Sequence, residues 1–173
     1  MPAGSTKAFA HACRLVWFAF VFLTFGSLAH AQEGANSAGP FAGLSGSWSG
    51  SGTIALSNGT TERLRCQAAY AVASAGRNLR QNLRCASDSY SFELRTDVDY
   101  EGGSIAGRWV ETTRNLEGRI SGRANAGRID VVAEGPGFSA RLAMTTRGGR
   151  QSVSIRSAGT ELSHVSIDLT RTR

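Results

Sequence analysis

Apolar and polar side chains alternate from residue 46 to the end of the chain, in short runs separated by turn residues. The runs 64–72 and 79–85 show this most clearly, and each carries one cysteine. Alternation with a period of two predicts strands with one apolar and one wet face, and no stretch has the spacing of an amphipathic helix. Turn dipeptides such as Asn58-Gly59 and Gly102-Gly103 recur roughly every ten to fifteen residues, as between consecutive hairpin strands.

The two cysteine-bearing runs form a hairpin if the chain reverses between Ala75 and Gly76. Cys66 then stands opposite Cys85, in the same register that aligns the apolar faces. Directly opposed Cα atoms lie roughly 4.5–5.5 Å apart, which a disulfide can bridge. We expect a disulfide and a four-residue loop, residues 74–77, because that loop places the cysteines at the closer kind of pair. A metal site is the alternative, but the chain beyond residue 31 holds too few further Cys and His ligands, and we expect no metal.

In total the pattern predicts about ten antiparallel strands, including this hairpin, and each strand lies beside its predecessor. This layout predicts an all-β, up-and-down meander that closes into a single barrel domain over residues 46–173, since closure buries one face and hides the edges. A strongly curved open sheet or a flattened sandwich is the alternative. An outer-membrane barrel would show the same alternation. Short connections, the lack of aromatic girdles and the non-aromatic end of the chain disfavour it.

The first 31 residues have the three parts of a secretory signal. Lys7 and Arg14 lie in a basic region, residues 15–29 are apolar, and Ala29 to Ala31 form an A-x-A site. We predict a cleaved signal peptide over residues 1–31, with an uncleaved anchor as the alternative. The mature protein would be periplasmic or secreted, without a transmembrane segment, in a compartment that permits disulfides. Residues 32–45 are rich in Gly, Ala and Ser and predict a flexible leader.

Gly46 and Trp48 open the first strand as Gly-x-Trp after this leader. Together with the meander layout, the tripeptide resembles the calycin barrels, the lipocalins and fatty-acid-binding proteins. The resemblance implies that Trp48 closes the barrel floor, with an arginine from a late strand packed on it, for which Arg171 is a match. Alternatively, Trp48 is simply a core residue at a strand start. The family also implies a cavity for a small apolar molecule.

Inward-facing residues of the predicted strands would line such a cavity. The candidates are Tyr70, Gln81, Leu83, Phe92, Leu94, Thr96, Tyr100, Trp109 and Met144. Gln81 and Thr96 face each other in the predicted register, as a polar pair on an apolar wall. They would either orient a ligand or hydrogen-bond to each other within a packed core.

Arginine is the only basic residue type after the predicted signal. Removal of Lys7 and Arg14 leaves 17 basic and 13 acidic residues, a net charge of +4. Guanidinium groups suit phosphate and carboxylate recognition, but the arginines are spread over nearly every strand, which favours a general surface role. Binding of an acidic partner to this surface remains an open hypothesis. Nucleic acid is not expected, because the basic segments lack interleaved aromatic residues.

Catalytic motifs are missing from the pattern. His164, the one histidine after the predicted signal, has outer-face parity, and Asp97 and Asp99 fit a solvated stripe better than a carboxylate dyad. The sequence thus predicts a non-catalytic binding protein without a cofactor, carrying a lipophilic small molecule in its barrel. The alternative is a structural or inhibitor-like module with a solid core, acting through its rim loops or arginine-rich surface. The outer-membrane barrel is third.

Overall fold

The architecture is a closed β-barrel. A computed structural model of the protein describes residues 38–125 and 127–172. Within these residues the chain forms ten strands: β1 (Gly46–Leu56), β2 (Thr61–Ala73), β3 (Asn78–Ala86), β4 (Ser91–Glu101), β5 (Ser104–Glu111), β6 (Leu116–Asn125), β7 (Arg128–Gly135), β8 (Phe138–Arg147), β9 (Arg150–Ala158) and β10 (Leu162–Arg171). Each strand pairs antiparallel with its predecessor, and β1 pairs with β10 to close the sheet. The predicted all-β meander barrel is confirmed, and the open-sheet and sandwich alternatives are wrong.

The β2–β3 hairpin has the predicted register. Cys66 stands opposite Cys85 with a Cα–Cα distance of 4.2 Å, and their sulfurs are bonded at 2.06 Å. The strands end at Ala73 and begin again at Asn78, so the connection is the expected four-residue loop, most of it a single 3-10 turn over Ser74–Gly76. The short Cα separation is typical of the closer, non-hydrogen-bonded pair. The hairpin register and the disulfide are therefore confirmed together.

The inner face forms one apolar core. Side chains with the parity predicted for the inside are buried on nearly every strand, among them Ile54, Leu64, Val98 and Ile167. The outer positions between them are mostly exposed and carry the charged residues. No helix among the described residues is long and apolar enough to span a membrane.

The described end of the predicted leader, residues 38–45, belongs to the barrel domain. Phe41 is 0% exposed and Leu44 is 2% exposed, both within the core. The Phe41 backbone N–H donates to the Gly76 carbonyl at 3.1 Å, which ties the segment to the β2–β3 loop. The flexible-leader prediction is therefore wrong for residues 38–45, because two apolar side chains in this Gly- and Ala-rich stretch are buried against the core of the barrel. The predicted signal peptide, residues 1–31, and residues 32–37 lie outside the described residues.

Glycines at inner positions allow neighbouring strands and side chains to approach closely. A Cβ on Gly118 would overlap the carbonyl oxygen of Glu134 on β7 and lie 2.8 Å from Trp109 Nε1. Only glycine tolerates such a close approach of two strands. The Trp109 indole occupies the space that a side chain at position 118 would need.

Candidate ligand-binding cavity

The barrel encloses a cavity of about 450 Å³. Small-molecule sites typically occupy roughly 300–1,000 Å³. Side chains from β2 through β10 line it, and most are aliphatic or aromatic. Leu94, Leu142 and Ile155 have inward parity but are only partly buried. They stay partly accessible because they face the cavity instead of neighbouring side chains.

One end of the barrel is closed by Trp48 and the residues around it. Trp48 is 1% exposed and its indole N–H donates to the Leu44 carbonyl at 2.9 Å. Arg171 stands opposite Trp48 in the β1–β10 register, with its guanidinium carbon 4.7 Å from the centre of the Trp48 ring. The same guanidinium donates to the Ser45 carbonyl at 2.7 Å and to the Gly43 carbonyl. Arg171 therefore binds the segment before β1 to the end of β10.

The other end opens to solvent between the turns. Arg114, from the β5–β6 turn, and Glu161, from the β9–β10 turn, are exposed and also line the cavity. The Arg114 guanidinium carbon lies 4.3 Å from the centre of the Tyr90 ring, and its Nη1 donates to the Ser91 carbonyl at 3.0 Å. The mouth is thus polar and charged, whereas the interior is apolar.

Glu111 holds the β5–β6 turn at this mouth. Burial alone would raise its pKa, but hydrogen bonds from Thr113 and from the backbone N–H groups of Glu93 and Arg114 outweigh burial and lower the pKa. The Arg114 N–H donates to Glu111 Oε2 at 2.7 Å. The Glu111 carboxylate is therefore ionised and accepts hydrogen bonds from backbone N–H groups of the turn. These bonds position Arg114 at the rim.

Two polar groups lie on the apolar wall. Gln81 of β3 and Thr96 of β4 stand directly opposite each other, as predicted, and both line the cavity.

A second pair of polar side chains is buried. The Tyr70 hydroxyl donates to Gln151 Oε1 at 2.6 Å, and Gln151 is 2% exposed. Burial raises the pKa of Tyr70 to about 12, although the hydrogen bond to Gln151 opposes this. The Tyr70 hydroxyl is therefore neutral and serves as a donor.

The structure places the predicted lining residues at the cavity with one exception. Those that line it are Tyr70, Gln81, Leu83, Phe92, Leu94, Thr96, Trp109 and Met144. Tyr100 does not; its ring packs edge-on against Phe41, with centroids 6.4 Å apart. The last inner position of β4 extends past the cavity to where Phe41 covers it. That any of these residues binds a ligand stays a prediction.

Sequence reasoning missed much of the second half of the wall. The missed residues include Ile120, Ile129, Val131, Leu142, Val153, Ile155 and Ile167. Their alternation was visible in the sequence and could have identified them as inward-facing. The rim residues Arg114 and Glu161 had no such signal, because turn residues do not follow the strand parity. Glu111, the last residue of β5, shares the inward parity of Trp109 and could have been identified with it.

Comparisons with known proteins identify the fold and nothing narrower. The crystal structure of Rv2717c from M. tuberculosis matches with a TM-score of 0.58 and 13% identity, over 78% of this chain and 94% of that one. The S-type phycobiliprotein lyase CPES from Guillardia theta matches with a TM-score of 0.58 and 9% identity, over 77% of this chain and 90% of that one. The fold is calycin-like. No protein-family model matches the chain, and a search of curated proteins found no match.

The lyase corrects one prediction. The sequence led us to expect that the chain is not an enzyme, because it lacks catalytic motifs and its one histidine after the predicted signal has outer-face parity. A protein described as a lyase has the same barrel fold, so the step from missing catalytic motifs to a protein that is not an enzyme is wrong. The fold alone does not decide the function, which has to be argued from the cavity itself.

Proposed function

We propose that the protein is a secreted or periplasmic binding protein that holds a small, mainly apolar ligand inside its barrel. The observation that carries the proposal is the cavity of about 450 Å³, lined by apolar side chains and open at one end. Few polar groups on an apolar wall are typical of small-molecule sites. A void of this size also counts against the alternative of a solid barrel that acts only through its surface.

The distribution of polar groups suggests how a ligand would lie. Its apolar part would fill the interior near Leu94 and Leu142, where the wall is uncharged. A single polar group on the ligand could reach Gln81 and Thr96, which face each other on that wall. A charged or hydrated end would remain at the mouth near Arg114, because transfer of a charge into the apolar interior is costly.

The disulfide supports the proposed location. Cys66 and Cys85 are bonded and both are buried, and such bonds persist in the periplasm or outside the cell, whereas the cytosol keeps thiols reduced. The amino-terminal signal predicted over residues 1–31 supports the same compartments. Mass spectrometry of the exported protein would test this, since we expect its chain to begin near Gln32.

Ligand binding can be tested with a matched pair of substitutions on β8. Ala140 has inward parity and lines the cavity, whereas Ala143 has outward parity on the same strand. We expect Ala140→Phe to fill part of the cavity and Ala143→Phe to leave it unchanged. The readouts are native mass spectrometry of the purified protein, for a bound lipophile, and uptake of the fluorescent apolar probe N-phenyl-1-naphthylamine.

The expected result is probe uptake by the wild type and by Ala143→Phe, with a loss of at least about tenfold in affinity for Ala140→Phe, because the added ring takes up part of the space that the probe needs. Circular dichroism would show that both variants keep the barrel. The proposal would be abandoned if the wild type carried no bound mass and took up no probe, or if both variants bound the probe equally well.

A further inference from the structure

Arginines face each other directly across neighbouring strands on the outer wall. Arg108 of β5 stands opposite Arg119 of β6, and Arg141 of β8 stands opposite Arg156 of β9. Directly opposed like charges destabilise a sheet. A third pair, Arg147 and Arg150, flanks the β8–β9 turn, where exposed side chains can diverge into solvent. The two pairs within the wall need another explanation.

The pair on β5 and β6 has acidic neighbours in its own row. Asp97 of β4 stands on the other side of Arg108, and Glu134 of β7 stands on the other side of Arg119. The neighbouring strands continue this pattern, since Glu93 accepts from both Arg84 and Arg95 at 3.0 Å. A carboxylate therefore stands directly beside each arginine of this pair in the register, although neither Arg108 nor Arg119 forms an ion pair among the described residues.

The pair on β8 and β9 has no acidic neighbour in its row. Val132 of β7 stands beside Arg141, and His164 of β10 stands beside Arg156. Beyond His164 the row continues to Ala55 of β1 and Thr61 of β2, neither of which is charged. Among residues 38–125 and 127–172, neither Arg141 nor Arg156 takes part in an ion pair.

His164 adds a further unmet polar group to this row. Its Nδ1 is buried and has no hydrogen-bond partner among the described residues. A structural histidine would normally satisfy both ring nitrogens. Ser154 and Ser166, which stand opposite each other one outward position further along β9 and β10, supply hydroxyl groups beside it. This row and the one beside it thus offer two guanidinium groups, an imidazole and two hydroxyls, and no carboxylate stands directly opposite any of them.

We propose that Arg141, Arg156 and His164 form a binding site for a phosphate or sulfate group on the outer wall. An oxyanion between the two guanidinium groups would turn their repulsion into attraction. Guanidinium forks match the geometry of such oxyanions, and adjacent strands hold the three residues in register. This site is independent of the ligand proposed for the cavity. The group could be free phosphate or the phosphate of an anionic lipid headgroup.

The first test compares phosphate with chloride at matched ionic strength and neutral pH. We expect phosphate to raise the Tm of the wild type above its value in chloride, because a ligand that binds only the folded state stabilises it. Arg141→Gln/Arg156→Gln should be at least as stable as the wild type in chloride, since it loses the repulsion, and should lose the gain from phosphate. The matched control Arg108→Gln/Arg119→Gln should keep that gain.

An NMR titration with inorganic phosphate gives the second readout. Backbone amide shifts should centre on residues 141, 156 and 164, and the apparent Kd should weaken at least about tenfold in Arg141→Gln/Arg156→Gln, as expected when charged hydrogen bonds are lost. His164→Gln should weaken binding less. Equal effects of phosphate and chloride on the wild type, or an equal loss in the Arg108→Gln/Arg119→Gln control, would overturn the proposal.

Vesicle sedimentation separates the two sources of the anionic group. If the group is a lipid headgroup, wild type but not Arg141→Gln/Arg156→Gln will sediment with phosphatidylglycerol vesicles, and neither will sediment with phosphatidylcholine. If the group is a free anion, phosphate will bind as above without sedimentation. Sedimentation of both proteins to the same extent would mean that general positive charge, not this row, binds the membrane, and would overturn the lipid arm.

Discussion

At the scale of single residues, Tyr70 makes a buried hydrogen bond near the closed end of the barrel. Its hydroxyl donates to Gln151 at 2.6 Å, and the Gln151 amide donates to Thr146 at 3.3 Å. Its ring packs edge-on against Trp48, with centroids 6.1 Å apart. One side chain therefore joins the wall to the residues that close the floor.

Tyr70→Phe should destabilise the protein by about 1–3 kcal/mol, because it leaves the buried Gln151 carbonyl oxygen without a donor. The free energy of unfolding in urea measures this. Tyr100→Phe is the control, since Tyr100 is only partly buried and its hydroxyl has no hydrogen bond within the described part of the chain. The double variant Tyr70→Phe/Gln151→Leu should recover part of the loss. A Tyr70→Phe variant as stable as the wild type would contradict the role given to this bond.

Tyr70 also predicts a loss of stability at alkaline pH. Its pKa is raised to about 12 by burial, whereas an unfolded tyrosine titrates near pH ~10. Its contribution is fully present below the unfolded pKa and is lost as the pH rises through the folded one, by up to about 1.4 kcal/mol per pH unit. The stability gap between wild type and Tyr70→Phe should therefore narrow across this interval, as urea unfolding at several pH values would show. A constant gap would mean that Tyr70 ionises equally in both states.

At the level of elements, the β2–β3 hairpin combines a disulfide with apolar pairing in one register. Val72 faces Leu79 and Ala68 faces Leu83 on the same face as Cys66 and Cys85. Two independent signals, the sulfurs and the apolar faces, specify the same alignment. We therefore expect the hairpin to adopt this register without the disulfide.

Replacement of Cys66 and Cys85 by alanine should lower the free energy of unfolding by about 3 kcal/mol, as expected for a loop of this size, since the cysteines are 19 residues apart. The barrel should persist, because the apolar pairs remain. Guanidinium unfolding and far-ultraviolet circular dichroism measure the two effects. Wild type treated with dithiothreitol should reach the same stability as the variant. Loss of the barrel in the variant would show that the disulfide, not the pattern, sets the register.

The strand order and registers could be predicted because each hairpin is local, and a shift by one residue would turn an apolar face outward. The same reasoning placed Leu83 and Thr96 on the inner wall. It did not reveal that Phe41 and Leu44 belong to the core, because a short segment outside the strands shows no alternation of apolar and polar residues. Tyr100 has inward parity but lies beyond the cavity, since parity gives the face of a strand and not the depth along the barrel.

At the scale of the whole molecule, the two ends of the barrel differ in how they are closed. The mouth has only turns around it, with Arg114 and Glu161 exposed at its rim. The floor is covered by residues 38–45, which are tied to β10 through Arg171. A ligand would therefore enter at the mouth, and the floor would stay closed.

Arg171→Lys should loosen the floor without disrupting the strand pairing of the barrel. An ammonium group cannot donate to the Ser45 and Gly43 carbonyls in the fork geometry of a guanidinium, and it stacks less well on Trp48. We expect a loss of about 1–3 kcal/mol in unfolding free energy, from hydrogen bonds made by a charged group. Amide hydrogen exchange should become faster at Phe41 and Leu44, whose N–H groups bond to Gly76 and Phe41 carbonyls at 3.1 and 2.8 Å.

The matched control for this substitution is Arg150→Lys, at an exposed outer position of the same end of the barrel, opposite Thr170. It should leave exchange at residues 41 and 44 unchanged. Exchange in the centre of β3 and β4 should stay slow in both variants, because the strand ladder there does not depend on the floor. Since an intact floor keeps the cavity closed at one end, Arg171→Lys should also release the apolar probe faster than the wild type. If floor exchange and probe release were both unchanged, Arg171 would be a surface residue that merely lies over Trp48, and residues 38–45 would be held by Phe41 and Leu44 alone.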